Sequence, residues 1–177
     1  MSAENIRQAR ISDAERILEI YAYYVTNTAI SFEYDVPGLT DFQKRMKATM
    51  EGYPYLVIEK EHIIQGYAYA ASFHERAAYC RCSELSIYLA PESRNCGYGR
   101  KLYDELEKRL GEKGILNLYA CIAYTQKEDE YLDNNSAYFH AHMGFEQVGH
   151  FHKCGYKFGR WYDMIWMEKL IGQHQKL

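Results

Sequence analysis

The stretch that most constrains this chain is Arg94-Asn95-Cys96-Gly97-Tyr98-Gly99-Arg100. It follows a strand-like run, "RCSELSIYLA", that Pro91 ends, and it opens a helix whose leucines recur at 102, 106 and 110. A strand, a glycine loop and an amphipathic helix in that order make an α/β unit. Glycines let the loop turn freely and approach a ligand closely. Successive amides then face one concavity with the positive end of the helix behind them, which suits a phosphate or pyrophosphate. Arg94 and Arg100 add positive charge. Glycines also serve turns that bind nothing, so the loop alone leaves both readings open. Two common phosphate motifs are excluded. A dinucleotide fingerprint needs glycine where Leu102 stands, and a P-loop needs Ser or Thr where Leu102 follows Lys101.

The rest of the chain alternates between strand and helix periods. Residues 5–10 read as a short strand. Ser12-Asp13-Ala14-Glu15 reads as a capping box before a helix over 13–27, with Ile17, Leu18, Ile20, Tyr21, Tyr24 and Val25 at helical spacing. Pro37-Gly38 breaks the chain, and Thr40-Asp41 starts a second helix to about Met50. "YPYLVIEK" and "IIQGYAYAASF" form a hairpin about Glu61-His62. After the loop helix, which Gly111 and Gly114 close, come a strand in "ILNLYACIAY", a short helix over 134–143 and two strands around Gly155–Gly159. The order β-αα-βββ-α-β-α-ββ predicts a mixed α/β sheet covered by helices, in one domain over residues 1–177.

Charge and composition exclude several classes. The net charge of −3 leaves no nucleic-acid footprint. No apolar run approaches the roughly 20 residues of a membrane helix, and "MSAENIRQAR" lacks the apolar centre of a leader. Five cysteines without motif spacing predict a reduced, cytoplasmic protein. The 18 tyrosines are expected mainly as half-buried packing.

Arg94-Asn95-Cys96-Gly97-Tyr98-Gly99, between its strand and helix, resembles the acetyl-CoA loop of the GNAT family of N-acetyltransferases. "ELSIYLAPESRNCGYGRKLY", "FHAHMGF" and "CGYKFGRWYDMIWME" are together similar to the branch that acetylates phosphinothricin and methionine sulfoximine. The resemblance implies a mixed, mostly antiparallel sheet of about seven strands flanked by about four helices. It implies that the backbone of Ile87, Tyr88 and Leu89 pairs with pantetheine, and that the amides from Asn95 to Arg100, including Cys96 and Tyr98, hold the pyrophosphate beside Arg94. It also implies an asparagine contact near the start of the 134–143 helix. Counting back from Gly144-Phe145 reaches Asp133, and Asn135 is the residue chosen.

Acetyl transfer to an amine needs a base, donors for the oxyanion and a proton for the leaving thiolate. On "CSELSIYL" the period of two puts Leu85, Ile87 and Leu89 on one face and Cys82, Glu84, Ser86 and Tyr88 on the other. A glutamate there is either a solvated strand carboxylate or a functional one, and the resemblance implies a catalytic base. His140 stands where the resemblance implies the acid or thiolate hydrogen-bond donor, and a free histidine titrates near neutrality. His142, on another helix face, reads as an ordinary helix histidine satisfied by a backbone carbonyl or water. The resemblance further places Arg76 and Tyr79 in the acceptor pocket, with Phe73 and His74 beside them; arginine suits an acidic acceptor because it binds carboxylates bidentately. His150, His152 and Cys154 alternate on one strand face, but their spacing does not require convergence on a metal, and the resemblance implies none. Cys96 is read as a small loop residue, because transfer in that family is direct. The expected partners are acetyl-CoA, a small amino acid-like acceptor, and a second copy of the chain, with Trp161 and Trp166 at the interface. A polyamine or peptide N-terminus as acceptor, and a non-catalytic acyl-CoA sensor, remain alternatives.

Overall fold

The computed structural model describes residues 4–175. Met1–Ala3, part of the N-terminal stretch weighed above, and residues 176–177 lie outside it. The elements are β1 (Glu4–Gln8), α1 (Ala14–Asn27), α2 (Leu39–Gly52), β2 (Tyr55–Lys60), β3 (Ile63–Ser72), β4 (Cys82–Leu89), α3 (Tyr98–Glu112), β5 (Asn117–Tyr124), α4 (Asn135–His142), β6 (Glu146–Lys157) and β7 (Arg160–Leu170). They form a seven-stranded sheet in the order β1-β2-β3-β4-β5-β7-β6. Every neighbouring pair is antiparallel except β4–β5. This is the mixed sheet with four α-helices expected from the sequence.

The helices divide between the two faces. On α3, Leu102, Tyr103, Leu106 and Leu110 are buried against Leu85, Leu118 and Ile122 of the sheet. Each such leucine contributes about 1.5–3 kcal/mol. The outer side of α3 carries charge, including the Glu105–Arg109 pair at 2.7 Å. On the opposite face, α1 and α2 close over Tyr55, Val57 and Tyr67. There the tyrosines are packing residues, as expected: Tyr55 stacks on Tyr67 and on Tyr69 at 5.8 and 4.8 Å.

Several boundaries differ from the sequence reading. The Ser12 capping box does not form. A 3₁₀ turn, Ile11–Asp13, precedes α1, and the Asp13 carboxylate accepts the Arg10 amide at 2.7 Å and both Arg7 terminal nitrogens at 2.7 and 3.0 Å. A carboxylate that captures a guanidinium fork outcompetes a serine cap. The final turn is Phe158-Gly159, both with positive φ, and Gly155 lies inside β6. A Cβ on Gly155 would lie 2.4 Å from the Phe32 ring, so this glycine serves packing rather than turning.

Candidate active site

The site begins where two strands part. β4 and β5 pair only over Cys82–Glu84 and Asn117–Tyr119. Beyond that, β4 stays on β3 and β5 stays on β7. Their facing edges open as a wedge, and among the described residues the backbone groups there have no strand partner. An inner cavity of about 50 Å³ fills the wedge, walled by Ser86, Ile87, Tyr88, Cys121, Tyr103 and His140 among others. An outer cleft of about 530 Å³ runs over the glycine loop to α4. Ile30, Ile87 and Ser136 line both, so the two are continuous.

The loop forms because its two glycines do different work. Gly97 has φ +78°, a left-handed conformation that costs other residues strain. Gly99 has ordinary φ, but an added Cβ would lie 3.0 Å from Phe139 of α4. Arg94, Asn95, Gly97, Tyr98, Gly99 and Arg100 all line the outer cleft, as do Ile87, Leu89 and Asn135. Cys96 does not; it is exposed, and its thiol makes only a weak contact with the Arg94 carbonyl at 3.6 Å. Asn134 is structural, donating to and accepting from the Thr125 backbone at 2.8 and 3.2 Å. His142, read above as an ordinary helix residue, lines the cleft beside Met143.

Tyr24 was legible only as packing, yet it ties the cleft together. Its hydroxyl donates to the Leu89 carbonyl at 2.5 Å, at the end of β4. Its ring lies 5.4 Å beneath the Arg94 guanidinium, which also covers Tyr23 at 5.8 Å. Losing the hydroxyl removes about 1 kcal/mol of positioning. Tyr24→Phe is therefore expected to raise the KM for acetyl-CoA about fivefold and leave kcat nearly unchanged, as initial rates at saturating acceptor would show.

Glu84 marks the last β4–β5 pair, opposite Tyr119. Its carboxylate makes no hydrogen bond or ion pair among the described residues. Burial pushes its pKa above the ordinary carboxylate value, and nearby His74 pulls it partly back. An unpartnered, half-buried carboxylate where the two strands part has what a general base requires. Cys121 walls the inner cavity although its residue surface is exposed; desolvation on the cavity side and the nearby Glu84 carboxylate both raise its thiol pKa, which disfavours a thiolate nucleophile.

His140 is 3% exposed. Its Nδ1 donates to the Ser136 carbonyl at 2.7 Å, and the Tyr103 hydroxyl donates to its Nε2 at 2.8 Å. Burial pushes its pKa down to about 4. This differs from an imidazolium acid titrating near neutrality: desolvation disfavours the charge, and both ring nitrogens are already engaged. Because the folded value lies below the unfolded one, His140 contributes stability above about pH 6.5 that is lost as pH falls towards 4. Long-range ¹H–¹⁵N NMR is expected to show a neutral Nδ1–H ring at pH 7.

Around Glu84 the acceptor side is aromatic. Phe73 stacks on Tyr119 at 4.2 Å and meets Trp166 edge-on at 5.6 Å, while Tyr79 closes on Phe73 at 5.7 Å and on His74 at 5.0 Å. Trp166, expected at an interface, thus stands partly within this cluster. Arg76 lies on the exposed loop just before the Ala77–Tyr79 turn.

A wedge-split sheet with an amide-rich glycine loop and a free carboxylate at the split defines an acyl-transfer enzyme of the acetyltransferase class. Residues 6–166 match the acetyltransferase (GNAT) domain, and the chain belongs to the GNAT family. It is 34% identical over 165 residues to a phosphinothricin N-acetyltransferase of Alcaligenes faecalis, covering 93% of this chain and 81% of that one. It is 31% identical to an L-methionine sulfoximine/L-methionine sulfone acetyltransferase of Pseudomonas paraeruginosa, covering 95% and 94%. Its fold matches a phosphinothricin acetyltransferase of Sinorhizobium meliloti solved with acetyl-CoA, with TM-score 0.87, 34% identity and coverage of 97% and 90%.

Proposed function

We propose that this enzyme moves the acetyl group of acetyl-CoA directly to the amine of a small amino acid-like acceptor: phosphinothricin, methionine sulfoximine, methionine sulfone or a related amino acid. The observation that carries this reading is the unpartnered Glu84 carboxylate at the last β4–β5 pair, where the two strands part. In it, pantetheine pairs with the open edge of β4 from Ile87 to Leu89, and the pyrophosphate lies on the amides from Asn95 to Arg100. Asn135 contacts the cofactor from the start of α4. Glu84 takes the proton from the acceptor ammonium, directly or through a water, and the free amine attacks the thioester carbonyl. Strand-edge amides receive the oxyanion. Collapse of the adduct expels the CoA thiolate, which ends as the thiol with the proton the new amide nitrogen loses; the Tyr103 hydroxyl turns from His140 Nε2 to the sulfur and hydrogen-bonds it as it departs. No step is assigned to a metal. Arg76 binds the acceptor's acidic group, and Phe73 and Tyr79 wall its side chain.

The same reading places the enzyme in the cytoplasm as one domain; among the described residues no helix is long and apolar enough to cross a membrane. A second copy packs against exposed aromatic side chains of the β6–β7 hairpin, where Trp161 and Phe151 are 61% and 51% exposed. A polyamine acceptor is less favoured, because it would call for acidic walls where Arg76 and aromatic rings stand.

Initial rates against both substrates test the direct route. Intersecting double-reciprocal lines and unmodified protein mass after incubation with acetyl-CoA alone are expected. Parallel lines with an acetylated protein would show a covalent intermediate and overturn it.

A further inference from the structure

Away from the cleft, the β6–β7 hairpin brings together a ligand set that acetyl transfer does not use. His150 and His152 alternate on β6, and His150 stands opposite Ile165 of β7. Asp163 is two residues from Ile165 and so shares its face. Ligand atoms of His150, His152 and Asp163 lie within 4.8 Å of one another. Cys154, grouped with the two histidines in the sequence reading, is not among them; the third donor comes from the neighbouring strand.

We propose that His150, His152 and Asp163 form a binding site for a borderline divalent transition ion such as Zn²⁺.

Each donor is set by its surroundings. Asp163 is buried, and its Oδ1 accepts the Lys153 amide at 2.8 Å. That amide is aimed by a bulge in β6, where Lys153 takes φ +50°. His150 donates from Nε2 to Asp163 Oδ2 at 2.8 Å and is held edge-on against Tyr124 at 5.4 Å. His152 stacks on His150 with ring centres 4.1 Å apart. An ion about 2.0–2.2 Å from each donor needs donors a little over 3 Å apart, so the His150–Asp163 contact opens slightly. The imidazole proton of His150 moves to Nδ1, and Nε2 turns its lone pair on the ion. Two imidazoles and one carboxylate suit Zn²⁺, Co²⁺, Ni²⁺ or Cu²⁺, whereas Mg²⁺ and Ca²⁺ prefer all-oxygen sites. Three protein donors leave a position open to water. None of the three residues lines either part of the cleft, so the site is separate from the transfer chemistry.

Titration of the full chain with Co²⁺ tests this. Saturable visible d–d absorption at one equivalent, displaced by Zn²⁺, is expected. His152 is exposed, so His152→Ala should keep the wild-type far-UV circular dichroism and weaken binding roughly tenfold or more, as losing even an outer-shell partner costs about 10–100-fold. Asp163→Asn should weaken it likewise. No saturable absorption, the same affinity in His152→Ala, or an intense thiolate-to-cobalt band placing the ion on cysteine would each overturn the proposal.

Discussion

Glu84→Gln is expected to lower kcat by about 10²–10⁴, the usual contribution of a positioned general base. The replacement amide keeps the side chain's size but cannot accept the acceptor's proton. Binding of acetyl-CoA is expected to stay within about twofold, because Glu84 lies outside both linings while the loop and strand edge that hold the cofactor are untouched. The raised pKa adds two further consequences. Activity needs the ionised base, so the acidic limb of kcat/KM should lie above the ordinary glutamate value of about 4.3 and vanish in the variant. Stability moves the other way. A carboxyl whose folded pKa is raised favours the fold below its unfolded value, and that contribution is lost as pH rises through the folded value. At pH 7 Glu84→Gln should therefore melt at or above the wild-type temperature. A variant that loses activity and stability together would mark Glu84 as structural.

The second large effect is expected at Lys157, which is 3% exposed. Its ammonium donates to the carbonyls of Val25, Thr28 and Ser31 at 2.7, 2.9 and 2.6 Å. These carbonyls belong to the C-terminal end of α1 and the loop after it, where helix carbonyls lack internal partners. Lys157→Met would leave all three buried without a donor. Breaking such a buried charged contact costs about 3–5 kcal/mol, which for a chain of this size lowers Tm by roughly 10 °C or more. Arginine should not rescue it, since a planar fork does not reproduce three donors radiating from one nitrogen. The loop also carries Ile30, which lines both the inner cavity and the outer cleft. The surviving folded enzyme should therefore show a raised KM for acetyl-CoA. A Tm within about 2 °C of wild type would contradict this account.

These residues also show what the sequence could and could not reveal. The element order was legible because each segment keeps one period, as the leucines of α3 do along a single buried stripe. The glycine loop was legible because one position needs a left-handed backbone and the other needs no side chain. Glu84 stood out as a carboxylate in an otherwise half-buried strand. Lys157 did not, because its carbonyl partners lie more than 120 residues away in the chain. Tyr24 repeats at core spacing, so its hydroxyl contact with Leu89 was hidden within a packing pattern. The neutral state of His140 depends on burial and on Tyr103, 37 residues earlier. For Asp163 the signal was its neighbour across the hairpin, which no spacing along one strand discloses.

Thiol release from acetyl-CoA against a panel of acceptors tests the central claim most directly: methionine sulfoximine, phosphinothricin, the free amino acids, spermidine and a short peptide. The account predicts turnover with an acidic amino acid analogue that falls sharply in Arg76→Ala. Turnover on spermidine or peptide, with silence across the amino acids and their analogues, would contradict it.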